Sequence, residues 1–424
     1  MAVKFLRTIC CCFIKKSFLK WGSVAVVAMI ILLTVTITNA QNGKITRDNI
    51  AFISYPDFPE ANSTWFDIGY GEKYNKVYVA VTNLHHDEQA LYQYDISSQK
   101  MRITGLLSRL AHLRNFQWQG KVHSKFVEGP NGNMYFSTDG GEDRQEYLMN
   151  HPRGYSGGFF MRWDPFNQKL TNLGMALQYE SIKDVDIDNE TGVLYGISYP
   201  QVHFIVYDVA KNNLRDLGRL GSAHVPRVLF TDWWGNCYYA DWRQRLVKYE
   251  KDKQELIFAE NSLPAFPNTP GSKIITGIMG YAKDKEHNVI YINTYGGKII
   301  AFYPQKEGIG NVKDLGGIFD TQDDKPYVPF AANMGLGNNG KLYYFVGGEG
   351  NFVREKVTIL MEFDPQTSQK KELIEFPLSE INLVTGSNVK DKEGNLYYAG
   401  MKEISQSKNE PFLIIFNPEK KIKK

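Results

Sequence analysis

Cysteine is scarce in this chain of 424 residues: Cys10, Cys11 and Cys12 crowd near the start, and Cys237 stands alone beyond them. The later chain therefore cannot form a disulfide within itself, and its stability must come from burial, for which about 380 residues suffice. Cys237 falls in a strand pattern and reads as a small core residue. Helical periodicity of useful length is missing after Gln41, which excludes helix bundles and doubly wound α/β folds. Acidic residues are missing from the first forty positions, which hold Lys4, Arg7, Lys15, Lys16 and Lys20. Setting those five charges aside turns the formal +3 of the whole chain into about −2 for the remainder. A global basic field for nucleic acid is thus excluded, and attraction for an anion has to be local.

The first forty residues read as a targeting segment. A basic stretch leads into an apolar run from about Trp21 to Ile37, which closes on Thr38-Asn39-Ala40. That order describes a secretory signal cut after Ala40. An uncleaved signal anchor is the alternative, because an apolar run of roughly 17 residues lies at the lower edge of what spans a bilayer. Acylation of Cys10 to Cys12 would accompany an anchor. Residues 1–40 are accordingly expected to be a signal peptide or signal anchor, and the product secreted, periplasmic or on the cell surface. An uncleaved segment would be its sole link to a membrane.

Beyond Gln41 the chain is made of short runs rich in Val, Ile, Tyr and Phe, broken by Gly, Asn and Asp, with 13% aromatic residues overall. Such runs predict an all-β fold. Two markers repeat along it. A turn followed by a strand with Tyr near its start recurs at Tyr78, Tyr135, Tyr195, Tyr238, Tyr291, Tyr343 and Tyr397. An aromatic residue followed by an acidic residue, Asn or Pro closes the next strand at Tyr94, Trp163, Tyr207, Tyr249, Tyr303, Phe363 and Phe416. The two series alternate strictly, with a period of about fifty residues, the size of one four-stranded propeller blade. The expectation is a single seven-bladed β-propeller over residues 41–424. The last unit leaves little room for a fourth strand, which residues near Asn49 to Tyr55 are expected to supply.

Propeller connectivity brings the start of each first strand and the end of each second strand to one rim. Aligned on the Tyr marker, the second to fifth units offer His123, Asp139, Tyr199, Arg227, Trp242 and Tyr295 there, with His203 in the loop after Tyr199. The sixth and seventh offer Gly347 and Met401, which carry no chemistry. Histidine, arginine and tyrosine around one cleft suit acid–base work on an anion, and Trp242 and Tyr295 suit stacking on sugar faces. Each also has a bland reading: Arg227 as an ion-pairing residue between blades, His123 as a structural histidine, Tyr199 as a cross-blade hydrogen bond. A long insertion from Gly140 to Gly158 carries Glu142, Asp143, Arg144 and Arg153 to the same rim. His85, His86 and Asp87 sit in a polar loop that gives little support for a metal site.

The segments Gly120-Lys121-Val122-His123-Ser124-Lys125-Phe126, Gly157 to Pro165, and Gly196 to Asp208 with its Tyr199-Pro200 and His203-Phe204 resemble the propeller ulvan lyases and related β-propeller polysaccharide lyases. The resemblance is best from about Gly120 to Asp241 and beyond that rests on blade architecture. It implies eliminative cleavage of a uronate-containing, sulfated or unsulfated, anionic polysaccharide. Arg227, helped by His123, would hold the carboxylate, Tyr199 would abstract the C5 proton, and His203 would be a second base or a partner of Tyr199. Asp139, Arg144, Arg153, Trp242 and Tyr295 would contact substrate. No redox or organic cofactor is required, a structural metal ion is left open, and a monomer is expected. The chain departs from the family at Thr138-Asp139-Gly140, where those lyases carry a second histidine; an aspartate there repels a carboxylate unless it is protonated or paired, with Arg144 or Arg153 as the expected partners. Two other functions compete. One is a non-catalytic propeller that binds glycan or protein. The other is a metal-dependent lactonase-like hydrolase using Asp139, Glu180, Asn333 and Asn388.

Overall fold

Strand after strand in the computed structural model pairs with its neighbour in sequence, turning the repeat of the two markers into a repeat of antiparallel sheets. The structure describes residues 44–141, 145–219, 225–265, 275–320, 331–348, 353–354, 356–405 and 408–422. The expected signal or anchor segment and Arg144 lie outside the described residues. Among those described, no helix is long and apolar enough to cross a membrane.

Each unit runs from a first strand through three hairpins to a fourth. The strands Ser181–Ile187, Val193–Tyr199, His203–Asp208 and Asn213–Arg219 form one such sheet, and Ile278–Asp284, Val289–Thr294, Lys298–Tyr303 and Asn311–Gly317 another. An eight-stranded sheet divides into two units of the same kind where Ala332–Leu336 meets Leu383–Ser387 in parallel. The last unit, Leu383–Ser387, Leu396–Ser405 and Lys408–Phe416, takes its fourth strand from Ile50–Ser54, with Ile50 opposite Phe416 and Ser54 opposite Phe412. Asn49 secures that junction by donating from Nδ2 to the carbonyls of Asn417 (2.9 Å) and Lys420 (3.1 Å). The chain start thus closes onto the chain end, as the short last repeat implies.

Burial falls from second strand to fourth. Lys76–Asn83 is buried along nearly its whole length, whereas Lys100–Leu106 and Gln369–Pro377 are mostly half-buried or exposed. A strand covered on both faces needs a continuous apolar run, and the outer strand tolerates charge. This is why the second strands stand out in the sequence. Cys237 sits on one of them, fully buried and free, with its thiol pushed up by burial.

The markers have physical causes. In the turn before the second strand, Asp232 Oδ1 accepts from the backbone N–H of Trp234 and Asn236. Its Oδ2 accepts from Asn236 Nδ2 (2.8 Å) and the Tyr238 hydroxyl (2.9 Å). Asp391, Asn395 and Tyr397 repeat the arrangement at 2.7 Å for both side-chain bonds. The intervening Gly235 and Gly394 both have φ +81°, a conformation open chiefly to glycine. The second marker caps the next hairpin: Asp164 Oδ1 accepts from Phe166 and Asn167 N–H, Asp364 from Gln366 and Thr367, and Asn417 from Glu419 and Lys420. These are Asx turns, in which the short side chain replaces a backbone acceptor.

Because Asp391 serves two backbone amides and two side chains inside the fold, Asp391→Ala should cost about 3 kcal/mol and Tyr397→Phe about 1 kcal/mol, measured from urea unfolding. Equal effects for the two would show that the carboxylate is not the centre of the turn.

Candidate functional site

The register sets the rim. Lys121 lies opposite Asp139 and Val122 opposite Thr138, and in the next unit Ser181 lies opposite Tyr199. The beginnings of first strands and the ends of second strands therefore do share one end of the units. Asp139, Tyr199 and His123 are all buried there.

Lys183, on the strand Ser181–Ile187, is the residue that links them. Its ammonium lies 2.6 Å from Asp139 Oδ2, with neither side chain exposed. The same ammonium is 5.3 Å from the centre of the Tyr199 ring. Its backbone carbonyl lies 3.1 Å from His123 Nδ1. Of the expected partners of Asp139, Arg153 thus gives way to Lys183, and Arg144 lies outside the described residues. Arg153 instead pairs with Asp87 and lies over the Trp118 ring at 5.3 Å. The reason is distance along the insertion: Arg153 follows the helix Gln145–Asn150 and His151, which stacks on Trp118 and also lies by Asp87. Sequence reasoning passes over Lys183, although Lys183, Asp184 and Asp186 interrupt an otherwise apolar first strand. Charges at such positions must find partners across units.

Two more residues join from the neighbouring units. Trp65 stacks on His123 with ring centres 6.2 Å apart and planes 20° apart, and the buried Lys121 ammonium stands 4.1 Å from the Trp65 ring. Below Trp65, Asp67 accepts from the Thr64 hydroxyl (2.6 Å) and the Trp65 N–H (3.0 Å). Burial nonetheless pushes its carboxyl up to about 8, with those bonds and Lys121 pulling the other way.

Arg227 follows the two-residue strand Val225–Pro226, which lies beside both Ser181–Ile187 and Val193–Tyr199. Its side chain is 7% exposed, and its Nε has no hydrogen-bond partner among the described residues. The segment after it is anchored: Leu229 N–H donates to Asp184 (2.7 Å), and Leu229 C=O accepts from Lys125 (2.6 Å).

Other expected site residues are placed differently. His203 points its Nδ1 at Asp216 on the outermost strand of its unit (2.9 Å). Trp242 is 50% exposed with Arg243 4.7 Å over its ring, an open stacking surface. Tyr295 is half-buried and packs against the core beside Leu263 and Ile278. The four residues considered for a hydrolytic metal stand in separate networks. Glu180 accepts from Ser198 and Gln201, Asn333 ties Phe345 to Val384, and Asn388 accepts from Lys283 N–H, while Asp139 meets Lys183. Among the described residues no group of three His, Cys, Asp or Glu side chains is placed to hold a metal.

No family model matches the chain, and no curated protein matches its sequence. Solved structures do match. A streptogramin B lyase shares 10% identity at a TM-score of 0.56, covering 87% of this chain and 97% of that one. The virginiamycin B lyase from Staphylococcus aureus shares 8% at 0.55, covering 87% and 99%. The WD40 repeats of RRP9 share 11% at 0.51, covering 87% and 97%. These likenesses establish the fold: this chain is a β-propeller, an all-β architecture that serves lyases and WD40 proteins alike.

Asp67 supplies a test of the rim's electrostatics. Its folded carboxyl titrates far above the ordinary 3.8, so between about pH 4 and 8 the native state holds a proton that the unfolded chain lacks. Its contribution to stability is full below that window and is lost as pH rises through 8. Urea unfolding from pH 5 to 9 should show declining stability that Asp67→Asn flattens; an unchanged slope in the variant would refute the assignment.

Proposed function

We propose that this chain is an exported, seven-bladed propeller lyase that cleaves a uronate-containing polysaccharide by β-elimination. The observation that supports the reading is the set of buried rim residues His123, Tyr199 and Arg227, with Arg227 Nε unpartnered among the described residues. Burying charge is costly, and a substrate carboxylate would balance the Arg227 guanidinium. The pairing of Asp139 with Lys183 answers the departure from the resembling lyases. Held at 2.6 Å by an ammonium, that aspartate no longer presents an unbalanced negative charge to substrate.

In this mechanism Arg227 and His123 engage the uronate carboxylate. Removal of the C5 proton sends electron density into that carboxylate, and the positive groups stabilise the enolate-like intermediate. Ionised Tyr199 takes the C5 proton; the C5–H electrons then form the C4–C5 double bond as the C4–O bond breaks. Protonated Tyr199 returns a proton to the departing O4 oxygen. The Lys183 ammonium lies 5.3 Å from the centre of the Tyr199 ring. His203, engaged with Asp216, has no part in the step. Trp242 offers a stacking face for neighbouring sugars. The chemistry needs no organic cofactor.

A non-catalytic glycan-binding propeller is the second reading, and the exposed Trp242 with Arg243 over its ring favours it. Elimination creates an unsaturated uronate that absorbs at roughly 235 nm, and loss of a positioned acid–base group costs about 100-fold or more. Mixed with a panel of uronate polysaccharides, the protein should raise that absorbance, with Tyr199→Phe and Arg227→Ala each at least about 100-fold slower. A rise that survives both substitutions removes the site assignment. No rise on any substrate, from folded protein, favours the binding propeller.

A further inference from the structure

The insertion after Asp139 is packed down on the rim by its own side chains. Leu148 and Tyr155 are buried together with Trp118. They press on Gly140: a Cβ there would stand 2.2 Å from Leu148 Cδ2 and 3.2 Å from the Tyr155 ring. The Tyr155 hydroxyl lies 3.3 Å from Ser181 Oγ, which accepts from Gly140 N–H at 3.0 Å. The insertion therefore covers the end of the strand Met134–Asp139, where the side chains of Asp139 and Lys183 are shut from water.

The turn from His151 to Gly154 fastens it. Gly154 N–H donates to His151 C=O (2.8 Å), and Trp118 Nε1 donates to Gly154 C=O. The His151 ring lies against Trp118 with centres 3.8 Å and planes 28° apart, and Tyr147 meets it edge-on at 5.6 Å. The Arg153 backbone N–H donates to His151 Nδ1 at 3.2 Å. That bond fixes the tautomer, because Nδ1 accepts only while it carries no proton. The single hydrogen of the neutral ring is then on Nε2, which faces Asp87 Oδ2 at 3.5 Å. The charged groups facing the ring are Asp87, from the loop after Lys76–Asn83, and Arg153, from its own turn, and these two are already paired with each other. A second proton can enter only at Nδ1, where it meets the Arg153 N–H head on and breaks the bond that shapes the turn. Burial holds the His151 imidazole below its ordinary 6.5, with Asp87 opposing and the Arg153 charge adding to the effect.

We propose that His151 is a proton-operated latch: neutral, it pins the insertion over Asp139 and Lys183, and protonated at Nδ1, it releases the insertion from the rim. The open insertion takes up a proton at the ordinary histidine value and the closed one resists it. Closure is therefore full above 6.5 and weakens as pH falls below it. Acidification thus opens one wall of the rim and admits water to the Asp139–Lys183 pair. The inference stands whether or not the rim is a lyase centre.

The experiment is hydrogen–deuterium exchange of the full chain at about pH 7.5 and about pH 5, on either side of the histidine range, with protection read against the intrinsic amide rate at each pH. Peptides covering residues 145–158 should lose about tenfold in protection at the lower pH, the effect of one pKa unit of coupling. The buried strand Val193–Tyr199 should keep its own. In His151→Asn, Oδ1 stands where Nδ1 does and accepts from the backbone N–H two residues on, as asparagine does in turns. It takes no proton, so in that variant the segment should stay protected at both pH values. If loss of the Trp118 stacking leaves the variant open at both, the histidine ring signals of the wild type decide. The signal absent from His151→Asn must then titrate with its midpoint where protection is lost. The proposal is overturned if the wild type is equally protected at both pH values, if His151→Asn opens on acidification as the wild type does, or if the His151 signal titrates apart from the opening.

Discussion

Asp184 is buried completely, and the centre of the molecule is organised around its charge. It accepts from the Lys125 backbone N–H (3.2 Å), the Lys125 ammonium (2.6 Å) and the Leu229 N–H (2.7 Å), joining three successive units. A carboxylate out of water demands such partners, and here they come from chain segments 45 and 59 residues away. The segment carrying Arg227 is held through Leu229, and the one carrying His123 through Lys125. Toward one end of the strand Ser181–Ile187 lies Lys183 with the rim residues; toward the other lies Asp186, which lines a cavity.

Much of the fold was legible because its repeat has local causes. The Tyr marker recurs because its hydroxyl serves the turn before it, as Tyr238 and Tyr397 do with Asp232 and Asp391. The aromatic–Asp marker recurs because Asp164, Asp364 and Asn417 cap the next hairpin. Such requirements act within a few residues and must be rewritten in every unit. Ring closure by Ile50–Ser54 was legible by subtraction, since the last repeat runs out of chain.

The site was legible only in part, because its connections cross units. His123, Tyr199 and Asp139 could be placed on one rim by counting from the Tyr marker, but counting does not show who pairs with whom. Lys183 lies twelve residues before Tyr195, as His123 does before Tyr135, so the count reached it without showing its partner. Trp65 was missed because the first unit begins with short, irregular pairing and no marker precedes it. Counting likewise gave no sign that His203 meets Asp216 on the outer strand of its unit. Pairing across a sheet is what spacing along the chain does not carry.

The central claim is that the buried cations at the rim exist to receive a carboxylate. The most direct measurement is a crystal structure of Tyr199→Phe, slowed in turnover, with a uronate oligosaccharide bound. The account predicts a sugar carboxylate about 3 Å from the Arg227 guanidinium, beside His123 and above the Asp139–Lys183 pair. An oligosaccharide lying across Trp242 on the outer surface, with Arg227 untouched, would contradict it.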